Sequence, residues 1–131
     1  MYDKDLEILQ DSLIARGADF PERVAVFSQV IPESGGSPAP HGNGAYGIIG
    51  FRGSRAENLP EDTPGQVHVL MNGMYDNPKA KDWTHGGTGT GVQTGKEMMN
   101  LFLDTPNVLQ AVKAYMKGFV RPEKSEWDKR I

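Results

Sequence analysis

One glycine-rich stretch, residues 33–53, constrains this chain more than any other part of its sequence. It reads ESGGSPAPHGNGAYGIIGFRG, and seven of the nineteen positions after Ser34 are glycine. Glycine at this density gives up chain entropy and allows positive φ angles and close approach of the backbone to other groups. Loops this long are uncommon inside a compact domain unless they serve a function. The stretch begins at Glu33, the only acidic residue between Glu22 and Glu57, which makes it the first place to look for a site.

Length and composition predict a single domain over residues 1–131. A chain of 131 residues with 37% hydrophobic residues is expected to form one hydrophobic core. No apolar run approaches the ~20 residues that a membrane span requires. The acidic, amphipathic N-terminus lacks the basic and apolar regions of a signal peptide. We therefore expect a monomer without a membrane span, cytoplasmic until released by another route, or carried on a larger secreted protein.

Several kinds of site are excluded by residue type or spacing. The chain has no cysteine, which rules out disulfides and thiolate metal sites. A net charge of −3 argues against nucleic-acid binding, which depends on clustered lysine and arginine. The three histidines have no short metal-ligand spacing, so no metal is expected. They are His41, His68 and His85.

The glycines do not form a nucleotide-binding motif either. Gly95 and Lys96 are preceded by Thr90 where a P-loop requires glycine, and Glu97 follows where it requires serine or threonine. A G-x-G-x-x-G match at residues 42–47 lacks both the preceding strand and the following helix that give this motif its meaning. We expect no cofactor.

Hydrophobic periodicity predicts five helices. The first covers residues 3–16 and stops at Gly17; the second opens at Asp19 with a capping box. Three more are predicted, starting at Thr63, near the Thr94–Glu97 capping box, and at Thr105. The predicted core face of the second helix has 4, 3, 4 spacing: Phe20, Val24, Phe27, Ile31.

Between the helices the chain is irregular. Pro32 is expected to kink or end the second helix, which leaves Glu33 at a helix C-terminus where the dipole opposes a negative charge. A short extended piece is predicted at residues 46–51, and the tail from about residue 121 is highly charged. The predicted fold class is therefore a mainly α, small helical domain with long Gly-rich loops and at most a short β element.

Three aromatic residues lie in the glycine loops rather than on predicted helix faces. They are Tyr46 and Phe51 in the first loop and Trp83 at the start of a second loop, residues 83–95. Such residues either cover the core or stack on a ligand, and the sequence leaves both alternatives open.

The ordered motifs E-S-G-G at residues 33–36, G-N-G-A-Y-G at residues 42–47 and F-R-G-S-R at residues 51–55 resemble a known family. They are similar to the lysozyme-like domains of phage tail-tip peptidoglycan hydrolases and, more widely, of lytic transglycosylases. The similarity extends from about residue 6 to residue 122. Gly50 stands where the family has glutamine, and Phe51 where it has tryptophan.

The resemblance implies a lysozyme-like fold and cleavage of the β-1,4 bond between N-acetylmuramic acid and N-acetylglucosamine in peptidoglycan. It implies that Glu33 is the catalytic acid and that the first loop lines the saccharide cleft. The expected partners are peptidoglycan glycan strands. The candidate substrate-binding residues are Tyr46, Phe51, Arg52, Trp83, Thr84 and His85.

The second catalytic group stays open at this point. The best candidate for a second carboxylate is Asp82, because it adjoins Trp83, Thr84 and His85; the other candidates are Glu57, Glu61, Asp62 and Asp76. Lytic transglycosylases use a single glutamate, so hydrolysis and transglycosylation are both possible outcomes.

A catalytically inactive peptidoglycan-binding or phage structural module of the same fold is the alternative function. An interaction domain that uses its methionine-containing helices is a weaker one.

Overall fold

The computed structural model describes residues 2–40, 45–51, 56–76, 83, 95–103, 105–122 and 124–130. Six α-helices follow one another in this part of the chain: α1 Asp3–Arg16, α2 Phe20–Ser34, α3 Thr63–Met71, α4 Gly95–Leu103, α5 Val108–Tyr115 and α6 Trp127–Arg130. Helix α2 packs against α5, α5 against α4, and α1 against α3. The only β pairing among the described residues is two isolated antiparallel bridges. The protein is mainly α, as predicted.

Helix α1 begins and ends where the sequence predicts, and helix α2 begins where it predicts. Gly17 ends α1 in the left-handed conformation, with φ of +89°. Asp19 caps α2 by accepting from the backbone N–H of Glu22, and the Glu22 carboxylate accepts from the backbone N–H of Asp19. This is the expected capping box.

The starts of α3 and α5 are each shifted from the prediction by polar side chains. Asp62, rather than Thr63, caps α3 through its bond to the backbone N–H of Gly65. Asn107 caps α5 in the same way, while Thr105 accepts from the backbone N–H of Asn107 just outside the helix. Both helices continue into π-helical segments, Asn72–Asp76 and Met116–Val120.

The predicted core face of α2 is wrong. Phe20 is 62% exposed and Ile31 52% exposed, while Val24 and Phe27 are only partly buried. The face that packs on the core carries Ala25, Val26 and Val30 together with the polar residues Glu22 and Gln29. Polar residues can be buried on this face when they form hydrogen bonds, and hydrophobic spacing in the sequence does not reveal such residues.

The core between α4 and α5 contains a cluster of aromatic rings in tilted, edge-on and stacked contacts. Trp83 packs against Phe102, Tyr115 and Phe119 with ring centroids 5.3–6.1 Å apart. Gly118 lies against this cluster, and a Cβ there would be 2.2 Å from Met98 Cγ. Most methionines of the described helices are buried as well, so they contribute to the core rather than to a surface for a partner.

The charged tail is helical over most of its length. After a short 3₁₀ turn, Lys124–Glu126, helix α6 packs against α2. The Trp127 indole donates to the carbonyl of Pro122, and the Lys117 ammonium lies over the Trp127 ring. In the described ranges, no helix has the length and apolar character needed to cross a bilayer.

Candidate functional site

Glu33 lies in the last turn of α2 and is half-buried. The helix does not end at Pro32 but runs through it to Ser34. Gly35 ends it with φ of +64°, donating its N–H to the carbonyls of Val30 and Ile31. The prediction that Glu33 stands at a helix C-terminus is therefore confirmed, with the helix two residues longer than Pro32 alone suggests.

The glycine loop folds back onto this helix end as a tight turn. Tyr46 and Phe51 exchange two backbone hydrogen bonds, of 2.9 and 2.7 Å, and enclose the four residues 47–50. Within the turn Ile48 and Ile49 are buried in the core. The extended piece expected over residues 46–51 is thus a turn closed by one bridge.

Gly50 brings the turn into direct contact with Glu33. Its φ is +67°, and a Cβ built there would be 2.4 Å from Glu33 Oε2 and 3.2 Å from Glu33 Cδ. The Glu33 carboxyl therefore occupies the space that any side chain at position 50 would need. A side chain at position 50, where the resembling family has glutamine, would displace the Glu33 carboxyl from the position it has here.

Ser34 ties the same turn to the helix. Its hydroxyl donates to the carbonyl of Ile48 at 2.5 Å and accepts from the backbone N–H of Gly36 at 3.0 Å. Ser34, next to Glu33 in sequence, thus binds the turn at Ile48, and Gly50 of the same turn contacts the Glu33 carboxyl.

A third anchor, Gln66 on α3, was missed by sequence reasoning. It is 0% exposed, and its side-chain oxygen accepts from the backbone N–H of Ile48 at 3.0 Å. Its side-chain NH₂ donates to the carbonyls of Pro38, at 2.9 Å, and Pro60, at 3.0 Å. A Cβ at Gly47 would be 2.5 Å from this side-chain oxygen. The available signal was a polar residue on the predicted apolar face of α3, next to Val67.

The structure corrects the surface positions expected for two predicted substrate-binding residues. Phe51 is 4% exposed and Trp83 3% exposed, and both belong to the hydrophobic core. This agrees with the alternative that loop aromatics cover the core. Tyr46 is half-buried beside the turn and stays accessible to a ligand. The other predicted site residues lie outside the described residues: Arg52, Asp82, Thr84 and His85.

Another carboxyl, that of Glu22, is buried near the N-terminal end of α2. Tyr75, in the segment Asn72–Asp76, donates its hydroxyl to Glu22 Oε1 at 2.9 Å, and Arg16 lies over the Tyr75 ring. Burial is the main cause that raises the pKa of Glu22 to about 7, and the side chain of the neighbouring Asp19 acts in the same direction. The hydrogen bond from Tyr75 acts in the opposite direction. The effect of desolvation on the pKa of Glu22 is larger than that of the Tyr75 hydrogen bond and of the favourable position at the helix N-terminus.

Stability is expected to fall with rising pH because of Glu22. Its folded pKa of about 7 exceeds the ordinary value of 4.5, so its contribution is complete below pH 4.5 and is lost as pH rises through 7. At about 1.4 kcal/mol per pKa unit, the loss between pH 5 and 8 is on the order of 2–3 kcal/mol. Urea unfolding across this range measures it. Glu22→Gln is the control, and equal pH slopes in both proteins would contradict the assignment.

Comparisons of the chain with protein-family models, with curated proteins and with solved structures found no match.

Proposed function

We propose that this chain cleaves the β-1,4 bond between N-acetylmuramic acid and N-acetylglucosamine in peptidoglycan, with Glu33 as the general acid. One observation carries the proposal: the Glu33 carboxyl packs against Gly50 in the turn formed by the motif that resembles lysozyme-like domains. Glu33 is half-buried in the last turn of α2, so part of the residue stays accessible to a substrate. Ser34 of the E-S-G-G motif also donates to Ile48 in this turn, so two neighbouring residues of the motif contact the turn of residues 47–50.

In this proposal Glu33 donates its proton to the glycosidic oxygen as the bond from that oxygen to the muramyl C1 breaks. The resulting Glu33 carboxylate then accepts a proton from the nucleophile that attacks C1. That nucleophile is water in hydrolysis and the muramyl 6-hydroxyl in transglycosylation. Of the three aromatic residues predicted to bind substrate, Tyr46 is the one that stays accessible to the saccharide.

Glu22 does not serve as the second carboxylate. It lies eleven residues from Glu33 on the same helix, which at 1.5 Å per residue separates the two by about 16 Å. Paired carboxyls of glycosidases are about 5–9.5 Å apart. The partner of Glu33, if hydrolysis requires one, comes from elsewhere, and Asp82 stays the first candidate.

The alternative is a peptidoglycan-binding or phage structural module of the same fold without activity. The glycine at position 50 favours it, because the resembling family has glutamine there. In that case the chain binds insoluble peptidoglycan but releases nothing from it.

Mass spectrometry of the soluble fraction tests the proposal. Purified peptidoglycan incubated with the protein is expected to release muropeptides. Fragments with 1,6-anhydro ends would identify transglycosylation, and fragments with reducing ends hydrolysis. Retention of the protein on the pellet with no soluble fragment would instead support the binding module.

A further inference from the structure

We infer that Gln66 is a positioning residue for Glu33, acting through the turn of residues 47–50. The inference rests on the proposed function in that Glu33 is taken as the acid, but the physical coupling between the two side chains can be measured without any activity.

The coupling begins at the peptide groups of Ile48. Its N–H donates to Gln66 Oε1, and its carbonyl accepts from the Ser34 hydroxyl. Ile48 is therefore held from α3 on one side and from the end of α2 on the other. Two residues later, Gly50 contacts the Glu33 carboxyl. A shift of the turn away from α3 would carry Gly50 with it and change its contact with the Glu33 carboxyl.

Gln66 is suited to fix this position because its amide group is used almost completely. The Pro38 and Pro60 carbonyls can only accept and the Ile48 N–H can only donate, so the orientation of the amide is determined. The three bonds join α3 to three separate segments of the chain. Gly47 is part of the same arrangement, since only glycine leaves space for the Gln66 side-chain oxygen.

Gln66→Met tests the inference, because methionine keeps the volume of glutamine and removes all three hydrogen bonds. We expect amide hydrogen exchange at Ile48 to accelerate at least ~10-fold and the Glu33 carboxyl ¹³C resonance to shift. We expect kcat on peptidoglycan to fall about 10- to 100-fold with little change in KM, because the acid is misplaced while the sugar contacts remain.

Asn107→Ala is the matched control for lost stability. It removes the cap of α5 and its bond to the backbone N–H of Gln110, at a distance from the turn. It should lower the unfolding midpoint and change neither Ile48 exchange nor the Glu33 resonance.

Gln66→Glu keeps the test decisive if Gln66→Met fails to fold. A protonated glutamate can accept from the Ile48 N–H and donate to one proline carbonyl, whereas an ionised one can donate to neither. Ile48 protection and kcat relative to the unmodified protein should therefore recover as the pH falls. The Glu33 carboxyl resonance should return with them, whereas a role of Gln66 in stability alone would leave that resonance unchanged throughout.

Three outcomes separate the two proposals. An unshifted Glu33 resonance after Ile48 protection is lost would overturn the positioning role, and so would unchanged Ile48 protection. If the unmodified protein releases no muropeptide but the Glu33 resonance shifts in Gln66→Met, the coupling stands and the glycosidase function fails.

Discussion

Glu33→Gln is expected to slow peptidoglycan solubilisation by about 10²- to 10⁴-fold, the range that one general acid contributes. Glutamine has nearly the same size as glutamate and can keep the contact with Gly50, but its amide has no acidic proton to give to the glycosidic oxygen. Turbidity clearance of a cell-wall suspension and the yield of soluble muropeptides measure the effect.

A change elsewhere in the chain controls for nonspecific effects of removing a negative charge. Glu7 is exposed on α1, and Glu7→Gln should leave the rate unchanged. Both variants should unfold at nearly the same urea concentration as the unmodified protein. Clearance by Glu33→Gln at the full rate would remove Glu33 from the role of acid.

The parts of the fold that local chemistry determines could be predicted from the sequence. Helix α1 ends at Gly17, where glycine adopts a positive φ without strain. Helix α2 starts at Asp19, whose capping box with Glu22 involves only neighbouring residues. These features depend on fewer than five consecutive positions, so a single sequence contains the information.

The face of α2 that turns inward could not be predicted, because distant residues decide it. The buried Glu22 carboxyl accepts from the Asp19 N–H nearby, but also from the hydroxyl of Tyr75, more than fifty residues later. Hydrophobic spacing favours the stripe from Phe20 to Ile31, and both of these residues are exposed. Tertiary hydrogen bonds outweighed the hydrophobic pattern here.

The candidate site could likewise be predicted from the sequence only in part. Glu33 and the glycine turn could be identified, because they follow one another within some twenty residues. The role of Gln66 could not, since its three partners are brought together only in the folded chain. Trp83 shows the reverse error: a loop aromatic suggested a ligand, but its neighbours are Phe102, Tyr115 and Phe119.

Gly50→Ala is expected to lower activity about 10²-fold, as a displacement of roughly 1 Å at a reacting group can do. The new Cβ would be 2.4 Å from Glu33 Oε2, so the carboxyl must move. The positive φ at position 50 also means that alanine there reduces stability by about 1–2 kcal/mol.

Gly17→Ala is the matched control, since Gly17 also has a positive φ but a Cβ added there would have nothing within 4 Å. It should lose similar stability and retain activity, as measured by urea unfolding and initial rates.

Whether Gly50 acts through Glu33 follows from combining the two changes. If its effect consists in displacing the Glu33 carboxyl, adding Gly50→Ala to Glu33→Gln should lower the rate no further, because the acid is already absent. Independent effects would instead multiply, giving a double variant about 10²-fold slower than Glu33→Gln alone. Multiplicative loss would mean that the glycine turn contacts the substrate directly, and Gly50 would then belong to the saccharide-binding surface rather than to the support of the acid.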